Sequence, residues 1–415
     1  MKTRNDIELM APAGSYESLH AALDGGADAV YFGIGALNMR QASSANFTAA
    51  DLPGIVDLCH RHGARAYMTL NTVLFDDDVT EMHCMVDAVR QCGVDALIVS
   101  DMAAIMYARA VGMELHASTQ LNIANTEAVR FFAQFCDVMV LAREVSLAQA
   151  KVICDAVDRG PITGPSGRKV RIEMFCHGAL CMAVSGKCYL SLHEYNRSAN
   201  RGACVQVCRH AYTVTDRDTG AELDVEGKYI MSPKDLCTIG FLDRMLDAGV
   251  TVLKIEGRAR APEYVRTVTA CYDEAVRAWC DGTFTPEKTA AWTGRHRTVF
   301  NRGFWDGYYL GRRLGEWTTQ YGSAATVKKV YAGRCTNYFP RPGVGEFLME
   351  ADGLSVGEKV IVTGPTTGVV EMSVQELRTD VSPVPAVQKG SVCSMPVPQR
   401  VRRGDRLYRM VPVTE

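Results

Sequence analysis

No run of apolar residues in this 415-residue chain approaches the roughly 20 needed to cross a bilayer as a helix. The opening MKTRNDIELMAPAG lacks the extended apolar core and small-residue cleavage site of a secretory leader, so a cytoplasmic protein is expected. Strong charge of either sign is also missing: a formal net charge of −2 excludes a bulk polyanion binder and leaves room only for local basic faces. Several hydrolytic signatures are absent. His193-Glu194 is not followed by a second histidine at the spacing of HExxH, which removes the common zinc-protease helix. There is no GxSxG for a nucleophile elbow, and no CxxC pair of the kind that structural zinc sites favour.

What the chain does have is cysteine, fifteen of them. An odd number in a reducing compartment, with several on expected helices, argues for buried thiols and one metal site rather than a disulfide framework. The density peaks in Phe175–Cys208, FCHGALCMAVSGKCYLSLHEYNRSANRGACVQVC, where Cys176, Cys181, Cys188, Cys204 and Cys208 fall, with Cys237 following in SPKDLC. Cys176 belongs to a strand end, which leaves Cys181, Cys188, Cys204, Cys208 and Cys237 as candidate ligands. Thiolates gathered from irregular, glycine-bearing segments suit a soft metal or an iron–sulfur cluster, because the backbone must wrap a centre that no single helix face encloses. Gly178, Gly186 and Gly202 supply the freedom such wrapping requires.

The first half alternates short apolar strands with amphipathic helices. Strands are expected at Glu8–Pro12, Ala29–Gly33, Arg65–Asn71, Ala96–Asp101, Glu114–Gln120 and Val138–Leu141, with helices between them. Val170–Phe175 and Val250–Ile255 supply a seventh and an eighth strand. A helix opens near Pro262 with Val265, Val268, Tyr272, Ala275 and Trp279 at helical spacing. Eight such units predict an α/β fold, a TIM-like (β/α) barrel over residues 1–285. The cysteine-rich stretch, about 176–237, is then an insertion after strand seven. In this architecture the loops at the carboxyl ends of the strands build the active site, so the insertion falls on the catalytic face.

Residues 286–415 read as a linker followed by a small C-terminal antiparallel β-barrel domain, with short strands punctuated by glycine and proline. Arg295, Arg297, Arg302, Arg312 and Arg313 interleave with Phe300, Phe304, Trp305, Tyr308 and Tyr309, and a second basic cluster holds Arg400, Arg402, Arg403, Arg406 and Arg409. Such a mixture can stack on bases while meeting phosphates, and it can equally be a linker packing its aromatics on the barrel. RNA is the partner it points to.

Polar groups at the strand ends form the remaining candidate site. Arg40, Arg143, Arg201 and Arg258 have the guanidinium fork that matches a dicarboxylate or phosphate, and Arg197 approaches from the insertion. Asn71 and Gln120 are candidate substrate contacts. His116 and Glu173 are acid/base candidates, and Lys254 of KIEGR joins Arg143 and Arg258 as a catalytic candidate.

Taken together, EMFCHGALCMAVSGKCYLS, NRSANRGACVQVCR, SPKDLC and LKIEGRARAPEYV, with ELMAPAGSYESLHAALDGGADAVYFG, HASTQLNIAN and FNRGFWDGYYLG, resemble the U32 peptidase family, including its bacterial tRNA- and rRNA-hydroxylation members. The resemblance implies a barrel carrying an oxygen-sensitive [4Fe–4S] cluster and hydroxylation of a uridine or cytidine in RNA, most simply a tRNA uridine. It also implies a small dicarboxylate such as prephenate as oxygen source and a cluster-assembly or reductant protein as helper. Relatives act in oxygen-independent ubiquinone synthesis. Cys181, Cys188 and Cys204 match the cluster cysteines. The fourth is Cys208, in a CxxxC pair, or Cys237; proximity favours Cys208 because it lowers the loop-closure cost. The sequence departs from the family in VQVCR, where many relatives carry proline before the cysteine. Two other readings remain beside this one: a U32-type peptidase with Cys181 as thiol nucleophile, and a zinc-stabilised RNA-binding protein.

Overall fold

The computed structural model describes residues 2–42, 47–223, 229–311, 314–380 and 382–413. Arg312 and Arg313 lie outside the described residues.

Seven short strands follow one another through the first half of the chain: β1 (Glu8–Pro12), β2 (Ala29–Phe32), β3 (Arg65–Leu70), β4 (Ala96–Val99), β5 (Leu115–Ala117), β6 (Val138–Val140) and β7 (Arg171–Gly178). Each is parallel to its neighbour, and an eighth, Val252–Ile255, pairs in parallel with both β1 and β7. The sheet therefore closes into the TIM-like barrel that the βα alternation predicts. The strands are buried on both faces, as parallel strands covered by helices must be. Met10, Ala29, Tyr31, Tyr67, Ala96, Ile98, Val138 and Val252 fill the barrel interior, while the outer faces join a larger apolar core with the surrounding helices.

The helices begin where their sequence signals say. In α1 (Tyr16–Asp24) the Ser15 hydroxyl accepts from the Ser18 amide, and in α6 (Leu147–Arg159) Ser146 and Gln149 form a reciprocal capping box. Between them lie α2 (Leu52–Arg61), α3 (Val79–Gln91), α4 (Met102–Ala110) and α5 (Thr126–Phe132). After β7 come α7 (Leu190–Tyr195), α8 (Leu242–Asp247) and α9 (Pro262–Cys280), with a further helix, Pro286–Thr298, beyond them. In α9, Pro262 occupies the first turn and Val265, Val268, Tyr272 and Ala275 make a buried stripe. Trp279 sits at the edge of that stripe, its indole donating to Asp247.

Two strands differ usefully from expectation. β5 stops at Ala117 instead of running to Gln120, because Thr119–Leu121 turns as a 3-10 helix and Asn122 adopts a left-handed conformation at φ 53°. β7 overruns the barrel rim to Gly178, since its last residues pair antiparallel with Asp235–Cys237, which in turn pairs with Phe304–Trp305. The seventh strand thus carries both ends of the cysteine-rich stretch.

Residues 286–311 lie on the barrel. α10 (Pro286–Thr298) buries Trp292 and His296, Trp305 and Tyr309 are buried, and the Tyr309 hydroxyl donates to the Phe175 carbonyl at 2.9 Å. Beyond them an eight-stranded antiparallel sheet runs from Val327–Phe339 to Arg406–Pro412. It surrounds its own apolar cluster, which includes Ala332, Phe347, Met349, Val362 and Leu407. The sheet docks on α1 and α9: Ile361 and Val369 join the barrel's core, and Lys329 pairs with Glu263 at 2.9 Å.

Candidate active site at the barrel mouth

The carboxyl ends of the barrel strands surround a cavity of about 430 Å³, within the size range of small-ligand sites. Its floor is cationic and tightly organised. Arg258, from the turn after the eighth strand, is buried and donates to Asn38 Oδ1 at 3.2 Å and Thr69 Oγ1 at 2.9 Å. Burial pulls its pKa down to about 10. Arg40 pairs with Glu256, which also accepts from the Tyr31 hydroxyl at 3.2 Å. Burial opposes the charge on Glu256, but Arg40, Arg143 and Arg258 outweigh it and hold the carboxyl at about 2. Arg143 reaches in from the loop after β6, donates to the Ala179 carbonyl at 2.7 Å, and lies 4.0 Å over the Phe175 ring.

Lys254 lines the cavity and is tethered from behind by Glu173, Nζ to Oε1 2.9 Å. The second oxygen of Glu173 is buried with no partner. On the opposite wall the Asn71 amide donates to Ser118 Oγ at 3.2 Å and to Gln120 Oε1 at 3.3 Å, so two carboxamides and a hydroxyl present one polar edge.

The insertion supplies the remaining wall. Cys181, Cys188, Cys204 and Cys208 all line the same cavity. Burial raises the Cys208 thiol, and Cys181, Cys204 and Cys188 are near enough to add to that rise. Gly178, Gly186 and Gly202 have φ of 108°, 71° and 84°, as wrapping requires. The close approaches explain two of them: a Cβ on Gly178 would stand 2.3 Å from the Glu256 carbonyl, and one on Gly202 would stand 2.4 Å from the Asn38 carbonyl. The cysteine wall is thereby pressed onto the arginine floor.

The cavity thus brings together Arg40, Asn71, Gln120, Arg143, Lys254 and Arg258 with four of the five candidate cysteines. Other candidates lie elsewhere. His116 is buried deeper in the barrel against the Tyr67 ring, with Nε2 3.3 Å from Glu114 Oε1. Glu173 reaches the cavity only through Lys254. Arg201 pairs with Asp78 and covers Phe75 at 4.2 Å, and Arg197 is exposed on the turn after α7. Cys237 faces away from the cavity and stands 3.6 Å from His296 Nδ1. Sequence reasoning placed Glu256 among the polar strand-end residues without a role and left out Tyr31 and Arg260 of the cavity lining. Glu256 and Arg260 flank Arg258 in KIEGRAR, and that short acid–base run at the end of a barrel strand was the available signal.

Several proposed nucleic-acid contacts are engaged internally. Arg302 faces Asp235 at 3.5 Å, Arg295 pairs with Glu274 at 2.7 Å, and Arg409 pairs with Glu358 and Asp352.

A family model described as peptidase family U32 matches residues 14–319. The chain belongs to that family. A protein named collagenase from Porphyromonas gingivalis strain W83 is 56% identical over 405 residues, covering 98% of both chains. The Escherichia coli 23S rRNA 5-hydroxycytidine C2501 synthase is 37% identical over 75% of this chain and 46% of its own length. A Bacillus subtilis tRNA hydroxylation protein P1 is 35% identical over 66% of this chain and 64% of its own. This U32 family therefore includes proteins named for RNA hydroxylation and others named for proteolysis. No helix among the described residues is long and apolar enough to cross a membrane.

Proposed function

We propose that this U32 protein is an iron–sulfur-dependent RNA hydroxylase acting on a pyrimidine, most simply a tRNA uridine. The observation that carries the reading is the convergence of Cys181, Cys188, Cys204 and Cys208 on a cavity floored by Arg40, Arg143 and Arg258. The donor set fits a [4Fe–4S] cluster better than one zinc ion. Among the described residues, only His177, Cys237 and His296 bring three His, Cys or carboxylate donors within 4.8 Å of one another. The cavity thiols therefore stand wider than tetrahedral zinc would hold them, with sulfurs about 3.8 Å apart. Cys208 rather than Cys237 is the fourth ligand in this reading.

When bound, such a cluster supplies redox chemistry beside the substrate. The residues of the chain do the rest. Arg40, Arg143 and Arg258 bind a dicarboxylate oxygen donor of the prephenate type, while Glu256 fixes their direction. Asn71 and Gln120 present the amide edge that reads a pyrimidine extruded from its stack. Lys254, held by Glu173, places a positive charge at the reacting end. His116 packs behind this assembly. The test is nucleoside mass spectrometry of tRNA and rRNA from a deletion strain: a hydroxylated pyrimidine should disappear, and an unchanged profile overturns the proposal.

A peptidase reading has one observation in its favour, the likeness to the collagenase-named relative. The cavity gives it little. Among the described residues no histidine lines it, so Cys181 has no imidazole to activate it. The Cys237–His296 pair is poised the wrong way, since burial pushes the thiol up to about 12 and the imidazole down to about 3, whereas a working dyad needs a thiolate. Peptide cleavage by iron-free protein, abolished in Cys181→Ala, would reinstate it.

A further inference from the structure

Behind the cavity wall, on the other side of β7, three metal-ligand side chains from distant parts of the chain meet. His177 comes from the end of β7, Cys237 lies directly opposite it across the antiparallel pairing, and His296 comes from the last turn of α10. Their donor atoms all lie within 4.8 Å of one another. Both imidazoles are buried, their ring centroids 4.5 Å apart, and Cys237 is half-buried. The Cys237 Sγ to His296 Nδ1 separation is 3.6 Å. One edge of a tetrahedral zinc site, with Zn–S about 2.3 Å and Zn–N about 2.0 Å, is about 3.5 Å long. Hydrogen bonding within the group is sparse: His177 Nδ1 lies 3.4 Å from the Tyr272 hydroxyl, which itself donates to the Cys176 carbonyl at 2.6 Å, and the other ring nitrogen of His296, Nε2, is buried with no partner.

We propose that His177, Cys237 and His296 form a second metal site, for a zinc-class divalent cation, separate from the cavity. Two neutral imidazoles and one thiolate are a borderline-soft donor set that suits zinc, and Cys237, unlike the two imidazoles, is not fully buried. The site clips together the two ends of the cysteine-rich stretch and the helix that opens the C-terminal third. Each loop it closes is long, 59 residues in the case of Cys237 to His296, so the entropic gain from a fixed clip is large. Nothing in this inference depends on what the cavity catalyses.

The test uses full-length protein purified without oxygen, exposed to one equivalent of zinc chloride and passed through a desalting column. Zinc and iron per chain are then measured, together with the zinc K-edge absorption spectrum. Wild type should carry about one zinc, with a spectrum fitting one sulfur and two or three nitrogen neighbours. Cys237→Ser, which preserves volume, and His296→Gln should each cut zinc about tenfold, leaving iron and circular dichroism unchanged. Cys181→Ser should do the reverse, losing iron and keeping zinc, so failure of the cluster reading and failure of this one are distinguishable. Wild type with no retained zinc, zinc unchanged in Cys237→Ser, an all-sulfur coordination shell, or loss of iron with Cys237→Ser would each overturn the proposal.

Discussion

Replacing Glu256 with glutamine tests the electrostatic frame of the cavity. The carboxylate sits among Arg40, Arg143 and Arg258, which hold its pKa at about 2 against an ordinary 4.5. That difference is worth about 3 kcal/mol at neutral pH, close to the roughly 3–5 kcal/mol lost when one partner of a buried ion pair is removed. The sign follows from the depressed folded-state value. The stabilisation is fully present above the unfolded-state pKa near 4.5, and it disappears as pH falls through about 2. Glu256→Gln should therefore unfold about 3 kcal/mol more easily at pH 7, with the gap from wild type shrinking to less than half by about pH 3. Denaturant titrations of both proteins at several pH values measure the gap directly. Equal stability at pH 7, or a gap that does not narrow on acidification, would refute the assignment of Glu256 as the anion that gathers these arginines.

Lys254→Met should cost about 3–5 kcal/mol by stranding the buried Glu173 carboxylate, and adding Glu173→Leu should recover most of that loss in the same titrations. Gly178→Ala should cost at least about 2 kcal/mol, from a residue with φ 108° whose Cβ would meet the Glu256 carbonyl; a thermal midpoint equal to wild type would contradict the close approach. Cys208→Ser should lower iron in anaerobically purified protein as severely as Cys181→Ser, and full iron retention would remove Cys208 from the ligand set.

The barrel was legible in the sequence because its signal is local and repeated: eight short apolar strands recur with amphipathic helices between them, several of the helices capped by Ser, Asp or Asn. The cysteine wall was legible for a similar reason, since four of the candidate cysteines fall within one stretch and three glycines mark where the chain must bend. What the sequence hid was direction. His116 on β5 and Glu173 on β7 look like cavity residues, yet one turns toward Glu114 and Tyr67 and the other stands behind Lys254. Strand periodicity places a side chain inside the barrel but does not say at which layer. His296 was invisible for the opposite reason: only the fold brings α10 against the end of β7.

The position of Cys237 follows from the same geometry and favours Cys208 as the fourth ligand of the proposed cluster. β7 continues past the rim, and the antiparallel partner that covers its end sets Cys237 opposite His177. In that pairing Leu236 lies against Gly178, and Cys237, opposite His177, stands on the side where α10 brings His296. Cys208, by contrast, follows Cys204 after one tight turn, with Gln206 at φ 59°, and that turn returns the chain to the cavity where Cys181 and Cys188 already stand. The backbone that wraps the insertion thus sorts its cysteines into two groups on opposite sides of one strand. A single substitution in either group should leave the metal of the other in place.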